Sequence, residues 1–160
     1  MEEAINSYLT FMINGGLYGI HVSKVVEIMA YETPQAQTTG LNYMLGFVQH
    51  RGRVLPLIDS GLKFGQKPIE LTPQSYVVVI AVRNADETFE VALAVDQVRQ
   101  VVDIQDDVKS QIETSYKPGY VLFAAKTDDG LGLFLDADKV FADTDVISMA
   151  ELTAQANKTV

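Results

Sequence analysis

The sequence predicts a mostly β protein: two small antiparallel barrels packed side by side, with short helices and a C-terminal helix. Three observations carry this. β-Branched and aromatic runs are bounded by tight-turn signals, the second half repeats the residue spacing of the first, and the alternation is too short for parallel βαβ crossovers. At 160 residues, 48% hydrophobic and 21% charged, the chain has ordinary globular composition. A chain of that length buries roughly two thirds of its unfolded surface in one core.

Tyr8 to Ile13 and Leu17 to Val22 flank Asn14-Gly15-Gly16, a strong signal for a tight hairpin. Behind Ser23, residues Val22, Val25 and Ile28, with Met29 beside them, recur at three to four residue spacing, which predicts a short helix directly after the second strand. Thr33 to Thr39 is polar and contains Pro34, which predicts a loop leading into the Gly46 hairpin. Leu45 to Val48 and Val54 to Ile58 then flank the polar tip His50-Arg51-Gly52-Arg53, a second hairpin whose Gly52 supplies the positive φ of the turn. Pro56 lacks an N–H, so its strand is expected at an edge, a bulge or a barrel corner. Phe64-Gly65 to Pro68, with Thr72-Pro73, is the best internal boundary. In the tail, Val146, Ile147, Met149, Ala150 and Leu152 stand at roughly helical spacing after Asp145, the expected N-cap.

The second half echoes the first. Ile20, Val22, Val25 and Ile28 match Leu93, Val95, Val98 and Val101 in spacing. Gly46-Phe47-Val48 returns as Gly119-Tyr120-Val121, and Val54 to Asp59 as Leu131 to Asp136. Residues 1–160 therefore read as a single domain, internally duplicated: a first half near 5–66, a second near 72–142 and a helix over 143–160. Each half would be hairpin, helical turn, loop and hairpin, forming its own barrel, with a groove between the two. Gly46 and Gly119 read as turn glycines with positive φ.

Composition narrows function. The chain has no Cys, which removes disulfides, thiolate zinc sites and Cys nucleophiles and fits a reducing compartment. A net charge of −9 opposes an extended nucleic-acid surface, including single-strand binding by a small barrel. No apolar segment follows Met1-Glu2-Glu3, and the longest apolar run, Val77 to Val82, is too short to span a bilayer, so a cytoplasmic protein without membrane insertion is expected. No metal or cofactor motif is present: Asp106-Asp107, Asp128-Asp129 and Asp143 to Asp145 lack the ligand spacing of a calcium loop. His21, His50, Asp59, Asp96 and several serines supply acid–base residue types, yet no nucleophile-elbow sequence joins them. Catalysis is not expected. The cationic tip around Arg51, in so acidic a chain, is instead a candidate contact site.

Taken together, Tyr18-Gly19-Ile20, Lys24-Val25-Val26-Glu27-Ile28, Gly46 followed by Arg51-Gly52 and Val54-x-Pro56-Leu57-Ile58-Asp59, Phe64-Gly65, and Val95-Asp96-x-Val98 resemble the CheW-type chemotaxis coupling proteins over about the whole chain. The resemblance implies SH3-like barrels and a non-enzymatic adaptor. Its partners would be the cytoplasmic tip of a chemoreceptor and the regulatory domain of a CheA-type histidine kinase. It further implies a monomer when isolated, recruited to receptor arrays at the inner face of the membrane. A related array controlling surface or pilus motility is the alternative setting.

Carried over position by position, the resemblance assigns receptor contact to Val25, Glu27, Gly46, Arg51, Val98 and Val101, and leaves the kinase-facing residues unnamed. Read without it, Arg51 is a solvated hairpin arginine, Glu27 a solvated helix residue, and Val25, Val98 and Val101 are core residues or the floor of a groove. The chain departs from the family pattern at His50, at Ser60-Gly61 and at Asn14-Gly15-Gly16.

Overall fold

A computed structural model describes residues 6–36, 41–110 and 118–159. Among these residues eleven strands run in the order β1 (Ser7–Ile13), β2 (Gly16–His21), β3 (Val25–Ala30), β4 (Gln35–Ala36), β5 (Met44–His50), β6 (Arg53–Asp59), β7 (Tyr76–Asn84), β8 (Glu87–Val95), β9 (Gln97–Asp103), β10 (Val121–Thr127) and β11 (Gly130–Leu135). Two helices, α1 (Ser60–Lys63) and α2 (Asp143–Thr159), join them, with single 3₁₀ turns at Val22–Lys24, Asp106–Val108 and Ala137–Lys139. The protein is mostly β, in two curled sheets of five and six strands, ordered β10-β11-β2-β1-β9 and β3-β7-β8-β6-β5-β4.

That order corrects the expectation that each half of the sequence folds as its own barrel. The hairpin β1–β2 of the first half pairs with β9 and β11 of the second, and β7–β8 of the second half pairs with β3 and β6 of the first. The exchange is reciprocal. β3 and β9 each join the other half's hairpin antiparallel, and β11 and β6 run parallel to β2 and β8. Crossing is possible because repeated strands with similar apolar patterns can accept either partner.

A second correction concerns residues 22–30. The helix expected there is one 3₁₀ turn, after which Val25 to Ala30 extend as β3 against β7, Val25 opposite Ile80 and Ala30 opposite Tyr76. Four β-branched residues in this stretch suit a pleated surface better than a helix, and β7 offers a full ladder. Pro56 likewise lies inside its sheet, with β6 between β5 and β8. The β6–β8 ladder starts at Leu57, one residue past the proline. Gly119 does not have positive φ, and Gly46 is not a turn residue: it sits within β5 at a register shift, with φ 145°.

The core is continuous across both sheets, with Val77 to Ile80 of β7 and Val91 to Val95 of β8 fully buried at its centre. Inside the five-stranded sheet a second cluster holds Tyr8, Phe123 and Phe134, with Phe123 and Phe134 stacked at 5.0 Å. This packing explains Gly19 in the Tyr-Gly-Ile motif, since a Cβ there would lie 2.5 Å from the Phe134 ring. Helix α2 starts at Asp143 rather than after Asp145. Asp145 does not cap it but accepts the Tyr43 hydroxyl at 2.7 Å, while Val146 and Met149 bury the inward face. Burial, with the Asp145 carboxylate beside it, pushes the Tyr43 hydroxyl well above the usual range.

One ion pair closes the crossover between the sheets. Lys24, in the 3₁₀ turn leading to β3, donates to both oxygens of Asp138, at 2.9 and 2.8 Å, and the Arg83 backbone N–H donates to the same carboxylate at 2.8 Å. Burial works to raise the Asp138 carboxyl, but the Lys24 ammonium and the Arg83 N–H outweigh it and hold it below its ordinary range. A depressed folded-state value contributes stability that is present above the unfolded value and lost as pH falls through the folded one. Wild type should therefore lose its advantage over Asp138→Asn as pH drops through and below the ordinary aspartate range. Paired melting curves at neutral and acidic pH test this; a gap between the two proteins that holds at acid pH would contradict it.

Candidate functional site

The hairpin β5–β6 turns through Arg51 and Gly52, both at positive φ, 53° and 79°, with His50 opposite Arg53. The sequence assigned positive φ to Gly52 alone. Two left-handed residues make a two-residue turn that matches strand twist, and that turn normally selects Asn-Gly, as at Asn14-Gly15 in the first hairpin. Placing an arginine there costs on the order of 1 kcal/mol. Backbone strain of this kind collects at functional positions.

Beneath the tip, Glu27, His50 and Glu90 converge from three strands. His50 is 5% exposed and pairs through Nε2 with Glu27 of β3, while its Nδ1 lies 4.0 Å from Glu90 of β8. Arg51 Nε is 3.7 Å from Glu27, and an Arg53 guanidinium nitrogen is 3.1 Å from Glu90. A buried imidazole is held between two carboxylates, and each carboxylate anchors an arginine whose side chain is still 75% or 65% exposed. The result is a locally balanced base carrying an exposed cationic rim, on a chain of net charge −9. Two planar guanidiniums in that position suit carboxylates or exposed helix C-terminal carbonyls, which they can grip with paired hydrogen bonds.

Glu27 and Arg51 are thus brought together. Val25 is half-buried at the start of the same edge strand and packs on the common core. Gly46 is buried, opposite Ala36 of β4 and Leu57 of β6. Val98 and Val101 lie apart from these on β9, at the edge of the five-stranded sheet, opposite Phe11 and Leu9 of β1. Val98 packs on the core and Val101 is 57% exposed. Val101 also lines a hollow formed by Gln100 to Ile104 and Lys126 to Asp128, which includes none of Val25, Glu27, Gly46 and Arg51.

The CheW-like domain model matches residues 7–145, most of the chain. The chain belongs to the CheW-like domain family. Among its relatives are "Probable chemotaxis protein CheW" of Rhizobium etli, 25% identical over 91% of this chain and 93% of that protein, and "Chemotaxis protein CheW" of Bacillus subtilis, 29% identical over 67% and 64%. Its fold is like that of the scaffolding protein TtCheW from Thermoanaerobacter tengcongensis, with a TM-score of 0.73 over 86% of this chain and 93% of that one, at 21% identity.

In this CheW-like domain the residue types that suggested acid–base chemistry do separate structural work. Asp59 is buried and accepts the backbone N–H groups of Leu62 and Ile69, at 3.1 and 3.3 Å, while Ser60 donates to the Ala94 carbonyl at 2.6 Å. Asp96 accepts the Asn14 N–H at 2.6 Å, and the His21 ring accepts the Ser23 N–H at 3.1 Å. The residue that the sequence did not single out is Glu90. It follows Phe89 in a strand that is otherwise increasingly apolar, and only its place beside Arg53 and His50, 37 and 40 positions away, reveals its part.

Proposed function

We propose that this CheW-like protein couples the helical cytoplasmic tip of a chemoreceptor to the regulatory domain of a CheA-type histidine kinase. It is a chemotaxis scaffold adaptor, not an enzyme. The observation that carries the coupling is the strained, exposed Arg51 tip seated on the Glu27–His50–Glu90 base, at the positions matched to receptor contact. Arg51, Glu27 and Val25 would meet the receptor from one sheet edge, and Val98 and Val101 from the other, with Gly46 holding β5 in place. A helical tip reads well against half-buried valines, because its apolar stripe recurs at i, i+3 and i+4. An adaptor without chemistry transmits a receptor state only through contacts that differ in free energy between signalling states.

The protein acts in the cytoplasm at receptor arrays on the inner face of the membrane. No helix among the described residues is long and apolar enough to cross that membrane. The test is titration of purified chain with a receptor-tip fragment and, separately, with a kinase regulatory-domain fragment, followed by both together. Each fragment should bind alone and the two should bind at once to a monomer. Mutual exclusion, or absence of either interaction, would reject coupling.

A further inference from the structure

The two sheets of this fold repeat each other, and their parallel ladders differ at one fork. In the five-stranded sheet the parallel ladder between β11 and β2 runs through Gly132–Leu17, Leu133–Tyr18, Phe134–Gly19 and Leu135–Ile20. In the six-stranded sheet the matching ladder of β6 and β8 runs only through Leu57–Ala92, Ile58–Leu93 and Asp59–Ala94. Aligning Val54 to Asp59 with Leu131 to Asp136, and Leu93 with Ile20, sets Leu57–Ala92 on Phe134–Gly19. Two pairs present in one sheet, those of Gly132 and Leu133, are therefore missing in the other, at Leu55 and Pro56. Pro56 stands where the zipped sheet has Leu133, and proline has no N–H to donate to a parallel ladder.

The open fork is lined by Arg53, Val54 and Leu55 on one side and by Thr88, Phe89 and Glu90 on the other, with Thr153 and Asn157 of α2 above. Asn157 fills the gap chemically. Its Oδ1 accepts the Val54 N–H at 3.0 Å and its Nδ2 lies 3.5 Å from the Val54 carbonyl, so one side-chain amide takes the place of a neighbouring peptide group. The seat is imperfect. Thr153 is only 7% exposed, and its Oγ1 has no hydrogen-bond partner among the described residues. A buried hydroxyl without a partner is a standing cost to that seat. The first half of α2, by contrast, is fastened by buried Val146 and Met149 and by the Tyr43–Asp145 bond.

We propose that the last turns of α2, from Thr153 onward, are a releasable strap over the β6–β8 fork, held by the Asn157 amide and separable from the anchored first half of the helix. Seated, the strap seals the fork. Released, it frees the Val54 backbone N–H and C=O directly beneath the Arg53–Glu90 pair, at the base of the tip that carries Arg51. The strap is built into the fold whatever partner the tip meets. It is a local opening of the kind that separates weakly held segments from the global core.

Residue-resolved amide hydrogen exchange on the full chain tests it, comparing Val54 with Val79 at the centre of the core. In wild type Val54 should exchange at least about 100-fold faster than Val79 and independently of low denaturant, the sign of local opening. Asn157→Ala should speed Val54 by about tenfold or more and leave Val79 unchanged, the size expected for losing one hydrogen bond of about 1.4 kcal/mol. Thr153→Val, which removes the unpaired hydroxyl at constant shape, should slow Val54. Exchange of Val54 in step with Val79 in wild type, or a Val54 rate untouched by both substitutions, would overturn the strap.

Discussion

Separating the chain in the loop between α1 and β7, between Gly65 and Pro68, should leave neither piece folded. Fragment 1–66 keeps the hairpins β1–β2 and β5–β6 but loses every strand that joins them: β7 from β3, β8 from β6, and β9 and β11 from β1 and β2. Isolated hairpins are marginal in water, so the stability lost is the whole of what a domain of this size has, about 5 to 15 kcal/mol. Circular dichroism melts should show no cooperative transition for 1–66 or 67–160 alone. Mixed or co-expressed, the two should restore a single transition, because each carries the other's missing strands. A cooperative melt from 1–66 by itself would mean that the exchange of hairpins does not hold the fold together.

Arg51 separates binding from stability. If its guanidinium grips a receptor carboxylate or helix end, Arg51→Ala should weaken receptor-tip binding by roughly 1 to 3 kcal/mol, the range for hydrogen bonds to charged groups, while kinase binding is unchanged. Arg51→Lys should recover little, since a point charge lacks the paired geometry. Arg51→Gly gives an opposite sign on the two axes. At φ 53° glycine relieves the strain, so the melting temperature should hold or rise, by up to about 1 kcal/mol of stability, while binding falls as in the alanine variant. Titration calorimetry and melting curves on the three variants decide it. Unchanged receptor affinity in Arg51→Ala and Arg51→Lys would remove Arg51 from the site and leave a strained turn to be explained by something else.

The same residue marks how far local sequence reaches. Both hairpins, the loop after Phe64 and the tail helix were legible because each rests on neighbours in the chain: Asn14-Gly15 and Gly52 mark their turns by themselves, whereas the strain at Arg51 was not legible, and the Val146 to Leu152 spacing needs only a surface to lie on. Whether Val25 to Ala30 would coil or extend was not local, since its spacing suits one face of a helix and its β-branched residues suit a strand. A full ladder with β7 decided for the strand. Repetition, which made the duplication visible, also hid the exchange of hairpins: sequence-similar strands carry interchangeable faces, and only the three-dimensional path selects a partner. The Glu27–His50–Glu90 base is tertiary for the same reason. Its members come from β3, β5 and β8, each charged residue reads as solvated in its own strand, and burial of the imidazole between two carboxylates arises only when the six-stranded sheet curls and brings those strands together.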